Sequence, residues 1–391
     1  MPDSTISTMS SILKNVYADI APHQINLEAG AFYTSLKKTN EGVYDGENIR
    51  VMASYGILGG FSSPSTDNAA LPTANAPQQT QLTSTTKNLI GTFRITEKVI
   101  KASMRDEESF IRAMDTNMKA CTTAAGYHTG RQIHGDATGI LGTYSSGSTT
   151  TTWVVTPSAD LLEVGMIVDQ IKQADGSQVA TGVTVTNVDK STNSVTFDSA
   201  LTDSGGTGDY IVIQSSYNNE INGLGKVFAS TGTYLGVNRA NNKWFVPQFN
   251  SSVGAISDTV ILNEVQKIEK YGGCKIDMIC CAYDVQKFYY DYLESLKRAP
   301  NTLMLEGGFK TISFNGLPIV ADKFIADGIM YLLDTTTFKM HHLEPWDWQS
   351  VDGQVISRVS GYPLYQAAYA YYADLMCIKP IANAKLSAIT S

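Results

Sequence analysis

Thr85-Thr86-Lys87-Asn88-Leu89-Ile90-Gly91-Thr92-Phe93-Arg94-Ile95-Thr96-Glu97-Lys98 is the stretch on which the reading of this chain turns. It closes a segment of unusual composition, because between Arg50 and Lys87 the only charged residue is Asp67. The segment opens on the strand-like run Val51-Met52-Ala53-Ser54-Tyr55. It passes Gly59-Gly60 and a Ser/Pro/Asn/Ala-rich middle, then comes back through Gln81-Leu82-Thr83 to Ile90-Gly91-Thr92-Phe93. Two extended arms around a polar tip predict a long hairpin. A lone hairpin is marginal in water, so it must lie on its own domain or on a neighbouring subunit. Structureless loops of this length are uncommon unless functional.

Downstream, residues 103–134 predict a long helix. Ser103 followed by Asp106 resembles a capping box, and Phe110, Ile111, Met114, Met118, Cys121 and Ala125 recur at helical spacing. About thirty helical residues span ~45 Å, which suits a strut better than a globular core. Gly126 and Gly130 weaken its far end. Upstream, Ile12, Leu13, Val16, Tyr17 and Ile20 give residues 1–43 a short helix-like piece in polar surroundings, the pattern of an arm with little core of its own.

Farther along, residues 138–217 turn Ser-, Thr-, Gly- and Val-rich. Short strand-like runs recur at Trp153-Val154-Val155, Met166-Ile167-Val168, Val183-Thr184-Val185, Ser194-Val195-Thr196-Phe197 and Tyr210-Ile211-Val212-Ile213. Such spacing predicts a small sandwich or barrel. Eight acidic residues there face only Lys172 and Lys190, a net charge of −6 and most of the chain's −8. An α/β pattern follows. A helix is expected over Ser257–Tyr271 with a stop at Gly272-Gly273, then a buried strand from Ile276 to Cys281 and a helix carrying Val285, Phe288, Tyr289, Tyr292 and Leu296. Asn315-Gly316 is a strong hairpin signal. Strands are expected at Met330–Leu333, at Phe338–Leu343 and over the aromatic run from Tyr365 to Ile378.

Composition excludes several function classes. With 391 residues the chain can bury two or three cores. Charged residues make up only 17%, below the usual quarter, which hints at surface covered by other subunits. A net charge of −8 without a Lys/Arg run argues against gripping nucleic acid. Five cysteines without CxxC spacing fit reduced thiols, and Met1-Pro2-Asp3-Ser4 lacks the regions of a signal peptide. No stretch approaches the ~20 apolar residues of a membrane span. Folding in a cytoplasm is therefore expected.

Catalytic chemistry finds no footing. There is no Walker A loop, GxGxxG after a strand, GxSxG elbow or HExxH. His341-His342 in a strand point to opposite faces, and Cys280-Cys281 lie in an apolar strand without an activating base. Asp189 and Asp203 lack calcium-loop spacing. The tyrosines Tyr289, Tyr290, Tyr292, Tyr369, Tyr371 and Tyr372 have no Arg or Lys beside them for a base-stacking platform, which leaves core and subunit contacts. No catalytic, cofactor-binding or metal residues are expected, and no enzymatic activity.

The order of parts resembles the major capsid proteins of tailed phages, with the fold named for phage Hong Kong 97. Residues 85–98 resemble the return strand of that family's extended loop. Arg131-Gln132-Ile133-His134-Gly135-Asp136-Ala137-Thr138-Gly139-Ile140-Leu141-Gly142 resembles the end of its spine helix. Glu220-Ile221-Asn222-Gly223-Leu224 and Gly236-Val237-Asn238-Arg239-Ala240 resemble the return from an inserted domain, and Phe314-Asn315-Gly316-Leu317-Pro318-Ile319-Val320-Ala321-Asp322 an axial-domain hairpin. The resemblance implies an α+β fold in five parts: N-terminal arm (1–43), extended loop (44–92), peripheral domain with spine helix (93–144), inserted β-domain (145–216), and the remaining peripheral and axial domains (217–391). It also implies a virion subunit that assembles with itself into pentamers and hexamers in the host bacterial cytoplasm. Scaffolding and portal proteins would be partners, DNA would lie inside without sequence-specific binding, and no membrane would be involved. A bacterial encapsulin enclosing protein cargo is the alternative. The loop has no lysine before Lys87, which argues against a lysine–asparagine cross-link from it. Arg94, Glu97 and Lys98, where loop meets peripheral domain, are expected to form ion pairs across subunits.

Overall fold

A computed structural model of the chain describes residues 30–44, 48–67, 70–98, 107–146, 150–201, 208–296, 302–304, 310–350 and 353–391. The helix-like piece around Ile12–Ile20, the cap at Ser103 and Asp106, and Asp203 lie outside the described residues. The chain divides into two compact units. One holds Lys87–Lys226 and Trp346–Tyr371 with the chain up to Thr34; the other holds Ser35–Thr86, Val227–Pro345 and Tyr372–Ser391.

In the first unit the strand Lys87–Thr96 pairs with the strand Leu364–Cys377. Against it runs the long helix Glu107–His134, 28 residues or about 42 Å. The two approach closely at Gly91, where a Cβ would lie 3.1 Å from Cys121 Sγ. The helix runs straight through Gly126 and Gly130, both buried, so packing overrides their poor propensity. Aromatic rings fill the space beside the strand: Phe93 meets Trp348 edge-on at 5.8 Å, and Trp346 stacks on Tyr369 at 4.7 Å.

Six strands of this unit close into a barrel: Ile140–Ser146, Thr150–Thr156, Ile167–Ile171, Gln178–Asp189, Ser194–Leu201 and Tyr210–Ile213. Trp153, Val155, Val168, Val185, Val195, Phe197 and Ile211 fill it, with Tyr144 against Trp153 at 4.3 Å. The barrel takes in Ile140–Ser146, which the sequence reading gave to the end of the peripheral segment, so it starts five residues before the expected 145. The inward positions Leu141 and Tyr144 belong to its core, and that burial overrides the resemblance to a helix end.

The second unit centres on a seven-stranded sheet, ordered Gln248–Asn250, Ala384–Leu386, Met330–Leu333, Met278–Cys281, Leu317–Ala321, Lys310–Phe314, Thr302–Met304. Met278–Cys281, fully buried, lies parallel to Leu317–Ala321 and antiparallel to Met330–Leu333. Asn315 (φ 50°) and Gly316 (φ 82°) make the expected tight hairpin turn, both in the left-handed region. Ser257 caps the helix Asp258–Lys267, its side chain accepting from Val260 N–H. The helix widens into a π turn over Ile268–Gly272 and stops at Gly273, φ 63°.

Candidate assembly surface

The strands Asn48–Tyr55 and Gln78–Thr85 pair antiparallel residue for residue, from Asn48 opposite Thr85 to Tyr55 opposite Gln78. This is the expected hairpin with a shorter return arm. The next strand, Lys87–Thr96, belongs to the other unit, so the loop ends at Thr86 and not at 92. The break falls where the partner changes. Before it the chain pairs with its own outgoing arm, and after it with Leu364–Cys377.

The paired arms of the hairpin are held within their own unit. Ile49 and Leu82 are fully buried, Tyr55 stacks on Trp244 at 4.4 Å, and Thr83 N–H donates to Leu235 C=O at 3.0 Å. Ser84 Oγ donates to the buried carboxylate of Asp374. The tip is different. Every described residue from Phe61 to Gln79 is exposed. Large apolar side chains stand in water there, with Ile57 at 86%, Phe61 at 84% and Leu71 at 92% exposure and Leu58 about half exposed, and Met52 on the outgoing arm is exposed as well. Several large apolar side chains left exposed on one loop point to a place where something else binds. In the sequence the missing charge of this segment is conspicuous and these side chains are not. The signal was present as bulky residues scattered among Gly, Pro and Ser.

Arg94, Glu97 and Lys98 sit at the far end of the strand Lys87–Thr96. Arg94 Nε–H donates to Gln366 Oε1 at 3.1 Å. Glu97 N–H donates to Pro363 C=O at 2.9 Å, and its carboxylate lies 3.8 Å from Arg358, a mostly exposed guanidinium. Lys98 is exposed. Two of the three thus have partners in their own subunit, both weak at such exposure.

The spine helix ends in a buried cradle. Arg131 forms a two-pronged ion pair with Glu220, with Arg131 Nη1 donating to Oε2 at 3.0 Å. Ile221 N–H donates to Gln132 Oε1 at 3.4 Å. A Cβ on Gly223 would fall among the carbonyl oxygens of Gln132, Ile133 and Gly135, 2.6 Å from that of Ile133. The segment 220–225 therefore fits over the helix end only because glycine occupies position 223.

Several other reactive side chains are buried. Burial drives the Cys280 thiol well above its ordinary range and the Cys281 thiol to about 12. His341 is buried, its Nδ1 2.8 Å from Glu41 C=O, and burial pulls its pKa down. Tyr289, Tyr369 and Tyr371 are buried. Among the described residues no group of three His, Cys, Asp or Glu side chains is placed to hold a metal ion.

No family model matches this sequence, and no curated protein matches it either. Solved structures do. A chain of the cyanophage A-1(L) capsid asymmetric unit matches with a TM-score of 0.55 at 10% identity, over 94% of this chain and 93% of that one. A chain of the capsid of the native GTA particle matches with a TM-score of 0.48 at 9% identity, over 93% and 91%. The capsid of the Myoviridae phage XM1 gives a TM-score of 0.42 at 12% identity, over 91% and 90%. At such identity a likeness is one of fold, and the first carries it: the chain has the α+β fold of the Hong Kong 97 type.

Proposed function

We propose that the chain is the major capsid subunit of a tailed bacteriophage, which assembles with itself into pentamers and hexamers of an icosahedral head around the phage genome. The observation that supports this most is the hairpin, anchored along its paired arms and bare and apolar at its tip. Burying Ile57, Phe61 and Leu71 is worth roughly 1.5–3 kcal/mol each, and no single copy of the chain collects it. A second copy that receives the tip does, and a head-to-tail contact of this kind propagates into rings. The fold shared with a capsid chain points the same way. On this reading the protein resides in the virion and assembles in the host cytoplasm with scaffolding and portal proteins. DNA lies inside without sequence-specific contacts. The chain acts by assembly and not by turnover, since no nucleophile–base pair was found in the sequence.

The test is electron microscopy of the expressed, purified chain alone and with its scaffolding partner. Uniform shells, tubes or capsomer rings are expected. The variant Phe61→Ser/Leu71→Ser should keep the melting temperature of the monomer and lose assembly. Assembly unchanged in that variant overturns the role of the tip. Shells that enclose a protein cargo and never DNA would favour the encapsulin reading instead.

A further inference from the structure

Five cysteines are available, and four are shut away. Cys280, Cys281 and Cys377 are buried, and Cys121 is packed under the strand Lys87–Thr96. Cys274 alone combines partial exposure with an amine beside it: Lys379 Nζ lies 3.3 Å from Cys274 Sγ. The two residues are 105 positions apart in sequence, yet the backbone fixes their meeting. Cys274 follows Gly273, the left-handed stop of the π turn. Lys379 precedes the short turn Pro380–Ala382, and its carbonyl is held by Ala382 N–H at 3.1 Å and by the amide of Asn383 at 3.3 Å. Between the two anchors the chains touch. A Cβ on Gly272 would lie 2.8 Å from Ala382 Cα and 3.1 Å from Ile381 C=O. The thiol and the amine are therefore presented by two segments packed backbone to backbone, and not by a chance encounter of long side chains.

We propose that Cys274 and Lys379 are a modification site, at which hydrogen peroxide drives formation of a covalent sulfur–nitrogen cross-link. Sulfenic acids condense with nitrogen, and an amine 3.3 Å from the sulfur is placed to do so. In the first step Cys274 Sγ attacks one peroxide oxygen and the O–O bond breaks. The departing hydroxide takes the thiol's proton and leaves as water, so that sulfur is oxidised to the sulfenic acid and the peroxide is reduced. In the second step Lys379 Nζ, after giving its ammonium proton to solvent, attacks sulfur through its lone pair. The S–O bond breaks, and the hydroxide leaves as a second water with a proton from nitrogen. Thiol, amine and peroxide become a sulfenamide and two waters. The link would staple the π turn to the C-terminal segment and close a loop of 105 residues. It would form only after the protein leaves a reducing compartment, and added thiol would reverse it. It does not depend on the capsid reading.

The experiment is peptide mass mapping of the purified chain after mild hydrogen peroxide, without reductant. Trypsin does not cut between Lys379 and Pro380, so the expected product joins residues 271–275 to residues 359–385 with the loss of two hydrogens. Fragment ions should place the link on Lys379 and not on Cys377. It should vanish on adding thiol and be absent from Cys274→Ser and from Lys379→Arg, which keeps the charge but not the nucleophilic amine. In Lys379→Arg the same peroxide should instead carry Cys274 on to the sulfinic acid. Wild-type protein in which Cys274 becomes sulfinic or sulfonic acid with Lys379 unmodified overturns the proposal. So does a disulfide from Cys274 to Cys377 or to a second chain.

Discussion

Gly223 shows how much a single residue can hold together. Its missing side chain lets three carbonyls, two in the spine helix's last turn and that of Gly135 just past it, come within contact distance, and all three are backbone. Backbone cannot swing aside as a side chain can, so Gly223→Ala should sit at the costly end of overpacking, about 3 kcal/mol. A drop of roughly 6–12 °C in melting temperature by calorimetry is the expected outcome, against a smaller drop for alanine at Gly353, where the space is open and only the left-handed backbone (φ 76°) opposes a side chain, at about 1–2 kcal/mol. One turn earlier, His128 carries a pH signature. Burial first, and Arg131 second, hold its imidazole down to about 4. A base with a lowered folded pKa stays neutral while the unfolded chain takes up a proton. Stability from this group is thus full above pH ~6.5 and falls as the pH drops towards 4, by at most roughly 3 kcal/mol. Melting curves between pH 7 and 4 should show that slope, and His128→Gln should flatten it. The single-residue signals that were legible in sequence were local ones. Asn315-Gly316 needed only its two φ angles, and Ser257 and Gly273 only their own helix. Arg131 and Glu220 were visible only as two charges, because their pairing spans 89 positions with the whole barrel between them.

Among the elements, the barrel has the cleanest boundary. Gly139 (φ 77°) stands beside Ser216, and Asn218 N–H donates to Thr138 C=O at 2.9 Å, so the chain leaves and returns at neighbouring points. Modules joined in this way tolerate removal. Deleting 140–215 and joining the ends by a short Gly/Ser linker should leave a soluble, cooperatively melting protein, checked by circular dichroism and calorimetry. A cut at 145, the boundary expected from sequence, should do worse, because it strands residues 140–144 with Leu141 and Tyr144 exposed. That strand was hidden in sequence because Gly139, Gly142 and Ser145-Ser146 dilute its alternation, and Gly142 is there to admit Val155. The long helix and the hairpin were legible because each repeats one pattern over many residues. The end of the hairpin was not, since the run from Gln78 to Thr96 is extended throughout and only the change of partner at Thr86 divides it.

At the scale of the whole molecule, the question is what surface a shell would cover. Glu97 tests it with one substitution. Its pairing with Arg358 is long and mostly exposed, worth ~1 kcal/mol or less, so Glu97→Lys should move the monomer's melting temperature by no more than a few degrees. If the junction of Arg94, Glu97 and Lys98 meets a neighbouring copy, the same change should sharply reduce the yield of shells in sedimentation, because the reversal repeats at every contact. Equal losses in both would make Glu97 a residue of its own fold, and no loss of shells would remove it from the interface. The adjacent chain crossings at Thr138 and Asn218 also have a mechanical consequence. Tension entering along the spine helix can pass from Thr138 straight into the 220–225 cradle, across one hydrogen bond and the Arg131–Glu220 pair. The barrel hangs beside that line of force as a side branch. Stretching the wall would strain the helix and its cradle while the barrel stayed slack, so under load the helix end should yield first and the barrel should remain folded.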